Sequence, residues 1–313
     1  MADISLAQPY VLVLGAAGID LKGRASVPLT LGTSTPGTVR VSVGGTARNV
    51  ADNLARLGVE TILFSAVGDD DSGKQILDNA AQVGLNTDFC IVSGGHCTSA
   101  YLALLDETGN LVMSVDDMEV LSCLTPQVVE ENRDLIRNAA MIVIDSNLSE
   151  ATIKALFRVA RRYKVRLCAD PASGTVATRL KPHLAKIFMI TPNLAEAQVL
   201  SDCTIKDEND AITAARCLVN AGVEIVIITL AAEGVVYATA NASGHIPSMA
   251  TEVIDATGAS DSLTATVVFG LLNDFPIDES VRLGVSAAAL TLACTESVCG
   301  DLSLELLYDH LII

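Results

Sequence analysis

The segment Asp255-Ala-Thr-Gly-Ala-Ser-Asp261 contains residue types that could carry out proton and phosphate chemistry. It leads into the apolar run 262–272, which predicts a helix that begins at a small, glycine-containing turn. Such a turn presents several backbone N–H groups and the positive end of the helix dipole, which together stabilise developing negative charge. Asp261 could take a proton from a hydroxyl group while a phosphoryl group is transferred. The alternative is an ordinary helix start with Asp261 as its capping residue.

A second candidate is Thr191-Pro-Asn193-Leu-Ala-Glu196, where an apolar run is followed by a predicted helix. The Asn-x-x-Glu spacing is typical of a capping box. The same spacing could place an amide and a carboxylate beside a hydrated Mg²⁺ ion. Further along the chain, Thr229-Leu-Ala-Ala-Glu-Gly234 closes another apolar run and predicts a loop that could hold a nucleotide.

Two features of the N-terminal part could bind a substrate. Gly44-Gly45-Thr-Ala-Arg48-Asn49 precedes a predicted helix, and paired glycines let a ligand approach the backbone, although most such pairs are simple turns. Asp20 follows the first apolar run, at the edge where open α/β sheets bind ligands. It could equally cap a helix or a turn.

Two familiar phosphate-binding motifs are only partly present. The segment 68–75 (GDDDSGKQ) nearly matches G-x-x-x-x-G-K-[ST], but Gln75 replaces the residue that would bind magnesium, and three aspartates would repel phosphates. The segment 15–18 (GAAG) lacks the third glycine of a dinucleotide fingerprint. We therefore predict a plain strand-to-helix loop at the first and close backbone packing at the second.

These segments must be positioned by alternating strands and helices. Short, continuously apolar runs are typical of parallel strands that are buried on both faces, and the segments between them are amphipathic. The predicted fold class is α/β, with a mostly parallel central sheet flanked by helices. The predicted strands are 11–14, 61–66, 141–145, 165–169, 187–190 and 225–229, and the predicted helices include 47–57, 151–163 and 210–221.

Segments 22–43 and 97–117 differ from this pattern, because they alternate Thr, Val and Ser with other residues. The second contains a predicted turn at 107–110. We interpret both as strands of a small antiparallel lid inserted into one domain that spans residues 1–313.

The composition excludes several classes of partner. The chain has 313 residues, of which 20 are basic and 37 acidic, so the net charge is −17. Nucleic acid and anionic membranes are therefore not expected as partners. The eight cysteines form no C-x-x-C pair, and the apolar stretch 10–18 lacks the basic flank that a signal peptide has. We therefore expect a reduced, cytoplasmic location.

Taken in chain order, these segments resemble the ribokinase (phosphofructokinase-B, PfkB) family of sugar and nucleoside kinases. The resemblance covers essentially the whole chain, and segment 255–261 lies where the family has Asp-Thr-Thr-Gly-Ala-Gly-Asp. It implies a ribokinase-like fold, phosphoryl transfer from ATP, a requirement for Mg²⁺ and binding of K⁺. The other matching segments are Gly44-Gly45 with Asn49, Val67-Gly68-Asp69-Asp70 and Asn193-x-x-Glu196.

The resemblance also implies individual roles. Asp261 would be the catalytic base, and Glu196 would organise Mg²⁺-bound water. The anion hole would comprise Gly258, Ala259 and Ser260; substrate would bind to Asp20, Gly44, Gly45 and Asn49; nucleotide would bind near Asn193, Thr229 and Gly234; and K⁺ would bind backbone oxygens of Asp255 and Thr257 and the loop 297–300.

A narrower similarity is to the pseudouridine-kinase branch of the family, which implies a nucleoside 5′-hydroxyl as the acceptor. Other small-molecule substrates remain alternatives, namely ribose, adenosine or inosine. The branch similarity rests on Pro36-Gly37, segment 44–51, Thr98-Ser-x-Tyr101-Leu, Asp116-Asp-Met118 and the stretch from Cys294-Thr-Glu to Asp301-Leu-Ser303.

Two residues depart from the family pattern. Ser260 replaces a glycine of the anion hole, and Ala231 stands where a glycine is common beside the nucleotide. Because of these departures, a degenerate protein that binds nucleoside without turnover remains an alternative. A homodimer through the lid is also expected, since exposed strand edges favour pairing.

Overall fold

The computed structural model describes residues 9–311. Its strands are β1 (Val11–Leu14), β2 (Gly18–Ala25), β3 (Gly37–Gly44), β4 (Thr61–Phe64), β5 (Ala66–Gly68), β6 (Ile91–Ser93), β7 (Ser99–Leu105), β8 (Leu111–Asp117), β9 (Met141–Asp145), β10 (Arg166–Asp170), β11 (Met189–Ile190), β12 (Ile225–Thr229), β13 (Val235–Thr239) and β14 (Ser243–Ile246).

Along the chain, most helices follow or precede a strand of the large sheet. Short 3₁₀ helices occur at Glu119–Cys123, Thr178–Lys186 and Ala231–Glu233. The α-helices are α1 (Thr46–Arg56), α2 (Asp71–Gln82), α3 (Pro126–Glu131), α4 (Arg133–Asn138), α5 (Glu150–Tyr163), α6 (Gly174–Ala177), α7 (Leu194–Ser201), α8 (Glu208–Asn220), α9 (Ala259–Leu272), α10 (Ile277–Leu292) and α11 (Leu304–Asp309).

The large sheet has eight strands in the order β14-β13-β12-β11-β10-β9-β1-β4. The six strands from β12 to β4 are parallel, and β13 and β14 continue the sheet as antiparallel strands. Alternate residues of β1 pack into two different apolar clusters, Leu12 and Leu14 into one and Val11 and Val13 into the other. Both faces of the sheet are therefore covered, which is why most of its parallel strands read as continuous apolar runs. The predicted α/β class with a parallel sheet is confirmed.

A second, four-stranded sheet has the order β3-β2-β7-β8. Its strands form in the two segments that were expected to make the lid, and the turn between β7 and β8 lies where it was predicted. The expectation of a purely antiparallel lid is wrong, because the two hairpins meet through the parallel pair β2–β7. The first segment begins earlier than expected, because β2 starts at Gly18 rather than at residue 22. Asp20 therefore lies inside β2, so its interpretation as a helix or turn cap is wrong.

One face of this small sheet is polar. The register places Ser42, Asp20, Tyr101 and Asp116 in one row across the four strands, and Lys22 lies two residues beyond Asp20 on the same face. Asp20 is only 6% exposed. This face therefore contributes polar side chains to the interior side of the sheet.

The opposite face is apolar and open. Val41, Leu102 and Val115 form the corresponding row, and they are 58%, 51% and 65% exposed. A separate pair of short parallel strands, β5 and β6, completes the β-structure. Within residues 9–311, no helix has the length and apolar character needed to cross a membrane.

The nearly complete phosphate loop forms an ordinary connection between β5 and α2, as predicted. Asp70 caps α2 by accepting a hydrogen bond from the backbone N–H of Gly73 over 2.8 Å. The other carboxylate oxygen of Asp70 accepts from the N–H of Thr98. Asp70 therefore serves the local structure of this loop.

Candidate active site

Two aspartates that the sequence analysis did not select lie at the carboxyl ends of neighbouring parallel strands. Asp145 ends β9 and Asp170 ends β10, and the register places them directly opposite each other. Asp145 accepts hydrogen bonds from the backbone N–H groups of Ala16 (2.7 Å) and Asn147 (2.8 Å). Asp170 accepts one from Ala172 through Oδ1, whereas its buried Oδ2 has no hydrogen-bond partner among the described residues. Asp170 therefore has an oxygen available for a ligand.

The start of α9 forms the centre of the candidate site. Its N-cap, Gly258, has φ 82°, and a Cβ there would overlap the carbonyl oxygen of Ser297, so glycine is required. The first N–H groups of a helix have no partner within it, which leaves those of Ala259, Ser260 and Asp261 free of intrahelical bonds. Asp261 is the third residue of α9, so its alternative role as the capping residue is wrong.

Asp261 is held by a chain of hydrogen bonds from α1. Asn49 Nδ2 donates to Asp261 Oδ2 over 2.7 Å, and Arg48 Nη1 donates to Asn49 Oδ1 over 2.9 Å. Because a guanidinium group only donates, the amide oxygen of Asn49 faces Arg48 and its NH₂ group faces Asp261. Arg48 is itself paired with buried Asp52 over 2.7 Å. The pairing fixes both the position and the orientation of the Asn49 amide.

The environment of Asp261 suits a general base. Burial raises the pKa of its carboxyl group to about 7, while the hydrogen bond from Asn49 acts in the opposite direction. The nearby charges of Asp20 and Asp145 raise the pKa further, and that of Arg48 lowers it. A base with a pKa near the working pH transfers protons efficiently.

The other carboxyl groups share this acidic surrounding. Burial raises the pKa of Asp145 to about 6 and raises the pKa of Asp170 well above its ordinary value. The charges of Asp261 and Glu196 contribute to the shift of Asp170. Asp170 is therefore close enough to both Asp261 and Glu196 for their charges to act on it.

Asp20 approaches the same region from the small sheet. Ser297 Oγ donates to Asp20 Oδ2 over 3.4 Å, and a Cβ at Gly44 would overlap the Asp20 carboxylate. Gly45, with φ 96°, is the N-cap of α1. Burial raises the pKa of Asp20, and the charge of Lys22 opposes that shift. Gly44 thus makes room for the Asp20 carboxylate, whereas a Cβ at Gly45 would overlap the backbone of Ala16 and Ala17.

Lys22 joins the small sheet to the loop before α9. Its Nζ donates to Asp255 Oδ2 over 2.7 Å and to Oδ1 over 2.8 Å, and it also donates to the hydroxyl of Thr257. The N–H of Thr257 donates to Asp255 Oδ1 over 2.9 Å. Burial by itself would raise the pKa of Asp255, but the hydrogen bonds from Lys22 and Thr257 leave it below its ordinary value.

Asn193 and Glu196 form the predicted capping box at the start of α7. The N–H of Glu196 donates to Asn193 Oδ1 over 3.0 Å, and the N–H of Asn193 donates to Glu196 Oε2 over 2.8 Å. Burial raises the pKa of Glu196, and its hydrogen bonds with Asn193 oppose that shift. Thr229 pairs with Asn193 through an isolated parallel bridge, which brings the two predicted nucleotide residues together.

The loop after Thr229 continues into a short 3₁₀ helix that ends at Gly234. Ala231 has φ 51°, a left-handed conformation that glycine adopts more readily. This left-handed backbone conformation explains why glycine is common at this position in the family.

The side chains fit a Mg²⁺ ion held mainly through water and phosphate. Asp170 offers a buried oxygen that no residue within 9–311 hydrogen-bonds, and Glu196 lies close enough for its charge to affect Asp170. The described residues contain no cluster of three or more His, Cys, Asp or Glu side chains able to hold a metal ion. Mg²⁺ commonly uses one or two carboxylates and completes its octahedron with water and substrate phosphates.

Known kinases resemble this chain over most of its length. Residues 8–300 match the pfkB family of carbohydrate kinases. The chain is 31% identical over 296 residues to pseudouridine kinase of Escherichia coli K12, covering 94% of each protein.

Solved structures agree in fold. A putative sugar kinase from Clostridium perfringens superposes with a TM-score of 0.81 at 31% identity, covering 96% of this chain and 95% of that one. A putative ribokinase II from E. coli, in complex with ATP and Mg²⁺, superposes with a TM-score of 0.83 at 17% identity, covering 97% and 99%. With its ribokinase-like fold and a family match over most of its length, the chain belongs to the pfkB family of carbohydrate kinases.

Proposed function

We propose that this sugar or nucleoside kinase transfers the γ-phosphoryl group of ATP to the 5′-hydroxyl of a nucleoside, and that its nucleoside is pseudouridine. The observation that carries the proposal is the contact between Asn49 and Asp261 at the start of α9. It places a buried carboxylate of raised pKa beside the unpaired N–H groups of a helix start.

In the proposed reaction, ionised Asp261 accepts the proton of the substrate hydroxyl. The hydroxyl oxygen forms a bond to the γ-phosphorus, and the bond from that phosphorus to the oxygen of ADP breaks. The N–H groups at Gly258, Ala259 and Ser260 are the proposed anion hole for the charge on the transferring group. The proton remains on Asp261 until product leaves.

We place the nucleotide against Asn193, Thr229 and Gly234, with the phosphates between Glu196 and the start of α9. A Mg²⁺ ion held there would supply the charge neutralisation that phosphoryl transfer from ATP requires. Glu196, with Asp170, would hold the water around it. A K⁺ ion is proposed at the backbone oxygens of Asp255 and Thr257 and at the loop 297–300, because the side chains of Asp255 and Thr257 are already bonded to Lys22.

The polar face of the small sheet supports a nucleoside rather than a free sugar as the substrate. The charge of Asp20 acts on Asp261, the partner of Asn49, and the Asp20 carboxylate suits the vicinal hydroxyls of a ribose, together with Gly44 and Gly45. Tyr101 and Asp116 continue the same row away from Asp20, across two further strands. Strands are about 4.8 Å apart, so this row extends roughly 10 Å, which is enough to reach a base attached to that ribose.

The test is ADP release by the purified protein with pseudouridine, uridine, cytidine, adenosine, inosine, ribose and fructose at equal concentration. We expect kcat/KM for pseudouridine to exceed that for uridine at least about tenfold, because a buried acceptor for the extra ring N–H would be left unpaired by uridine. A higher value for adenosine, inosine or a sugar would overturn the assignment of pseudouridine. Nucleoside binding without ADP release from any substrate would favour a degenerate, binding-only protein.

The exposed apolar face of the small sheet is the proposed site of homodimer formation. Val41, Leu102 and Val115 lie with Leu21 in one apolar row across the four strands, and two copies could cover this row by packing face to face. Sedimentation should show a dimer for the native chain and a monomer for Leu102→Lys. A native monomer at micromolar concentration would contradict this.

A further inference from the structure

The side chain of Lys22 connects strand β2 of the small sheet to the loop that precedes α9. Its ammonium group contacts both carboxylate oxygens of Asp255 and the hydroxyl of Thr257. The side chains of Lys22 and Asp255 are 11% and 16% exposed, so this is a largely buried ion pair. Removing one partner of such a pair leaves an uncompensated charge.

Lys22 and Asp20 lie on the same face of one strand. They are two residues apart on β2, and β2 belongs to the small sheet that carries the proposed nucleoside contacts. A movement of β2 that brings Asp20 onto a substrate hydroxyl therefore moves Lys22 as well. The strand connects the two contacts rigidly, since β2 is hydrogen-bonded to β3 and β7 on both sides.

The other end of the contact is the loop that presents the start of α9. Asp255 accepts from Lys22 and from the N–H of Thr257, and Thr257 directly precedes Gly258. Gly258 is already confined by the carbonyl oxygen of Ser297. The ammonium group therefore holds the loop from one side while Ser297 confines it from the other.

Charge gives the contact a second consequence. The Asp20 and Asp255 carboxylates act on each other with like charge, and Lys22 opposes that effect at both. Without the ammonium group, two acidic side chains would face the place where phosphate charge develops. The loop would then be displaced from the γ-phosphate by repulsion.

We propose that Lys22 is a positioning residue that couples nucleoside binding on β2 to assembly of the anion hole at residues 258–260. The inference rests on the proposed function of that site. It predicts that nucleoside and nucleotide bind synergistically, and that the synergy passes through the contact of Lys22 with Asp255.

The experiment measures the dissociation constant of the Mg²⁺ complex of a non-hydrolysable ATP analogue by calorimetry, with and without saturating pseudouridine. For the native chain we expect pseudouridine to tighten binding at least about fivefold, which is the lower end of ordinary coupling between sites. Lys22→Met should reduce this ratio to about one, and Lys22→Arg should restore part of it, because a guanidinium group can also bond a carboxylate.

Arg24→Met is the matched control. Arg24 lies two residues beyond Lys22 on β2, but it donates to the carbonyl oxygen of Glu107 in an exposed turn. The Arg24→Met variant should show the same tightening of ATP-analogue binding by pseudouridine as the native chain. A native ratio in Lys22→Met, or an equal loss in Arg24→Met, would overturn the inference.

Turnover separates this inference from the proposed function. Lys22→Met should lower kcat by about 10–100-fold, as expected when reacting groups are misplaced. It should also raise the KM for nucleoside at saturating ATP by about fivefold, because coupling between two binding sites is reciprocal. If the native chain releases no ADP, the proposed function fails, yet the binding ratio still decides the role of Lys22. Asp255→Asn should lower the ratio as Lys22→Met does, and combining the two should add nothing further.

Discussion

Asn49 and Asp261 are 212 residues apart in the chain, and their side chains meet over 2.7 Å. The contact joins the first turn of α1 to the first turn of α9, so two helix starts converge on one carboxylate. Arg48 orients the Asn49 amide by occupying its oxygen. Asp261 therefore receives its hydrogen bond from an amide whose NH₂ group and oxygen cannot exchange places.

The first prediction concerns this carboxylate. Asp261→Asn should lower kcat by about 10²–10⁴-fold, which is the usual contribution of a positioned base, while nucleoside affinity stays close to native. Steady-state ADP release and calorimetric titration with nucleoside measure the two quantities. Near-native turnover in a folded variant would remove Asp261 from the mechanism.

The same substitution should change how stability depends on pH. The pKa of Asp261 is raised by burial from 3.8 to about 7 in the folded chain. Between these values the unfolded chain has lost the proton and the folded chain retains it, so native stability falls as pH rises from 4 to 7 and this contribution is constant above. Each unit of pKa difference corresponds to about 1.4 kcal/mol.

Asp261→Asn removes that decline, so the variant should gain stability relative to the native chain between pH 4 and pH 7. Urea unfolding at several pH values measures this gain. Asp88→Asn, in an exposed loop, is the control and should follow the native curve. A constant difference between Asp261→Asn and the native chain would contradict the raised pKa.

The residue that departs from the family at the anion hole gives a third prediction. If Ser260 simply occupies a glycine position, Ser260→Gly should retain or raise kcat, because the backbone N–H is unchanged. Ser260→Ala separates the hydroxyl from the Cβ atom. A large loss of kcat in both variants would show that the hydroxyl group bonds the phosphate.

The fourth prediction concerns ions. Chelation of Mg²⁺ should abolish ADP release, since charge between the β- and γ-phosphates must be neutralised. K⁺ should stimulate the reaction further by ordering residues 255–261. Equal rates in K⁺ and in tetramethylammonium would argue against the proposed K⁺ site.

The parallel sheet could be predicted because its strands are buried on both faces and therefore read as continuous apolar runs. The predicted runs 11–14, 141–145 and 225–229 agree with β1, β9 and β12 at both ends. The start of β2 was missed because Gly18 and Asp20 interrupt the apolar pattern. That interruption reflects the position of Asp20 inside the site.

The candidate site was predictable only in part. Residues close in sequence, such as Asn193 and Glu196, could be recognised from their spacing. Asp145 and Asp170 were missed because each follows an unremarkable apolar run, and only the strand register places them together. An acidic residue at the end of an apolar strand was nevertheless a usable signal. Lys22 had no comparable signal, because its partner Asp255 lies 233 residues away.

The buried carboxyl groups at the sheet edge also make ligand binding a proton-exchange reaction. Asp145 and Asp261 have pKa values of about 6 and 7, so both carboxyl groups are partly protonated at neutral pH. Binding that requires their ionised forms must release those protons to the solvent. The heat of binding will then depend on the ionisation enthalpy of the buffer, and affinity will rise with pH until both groups are ionised.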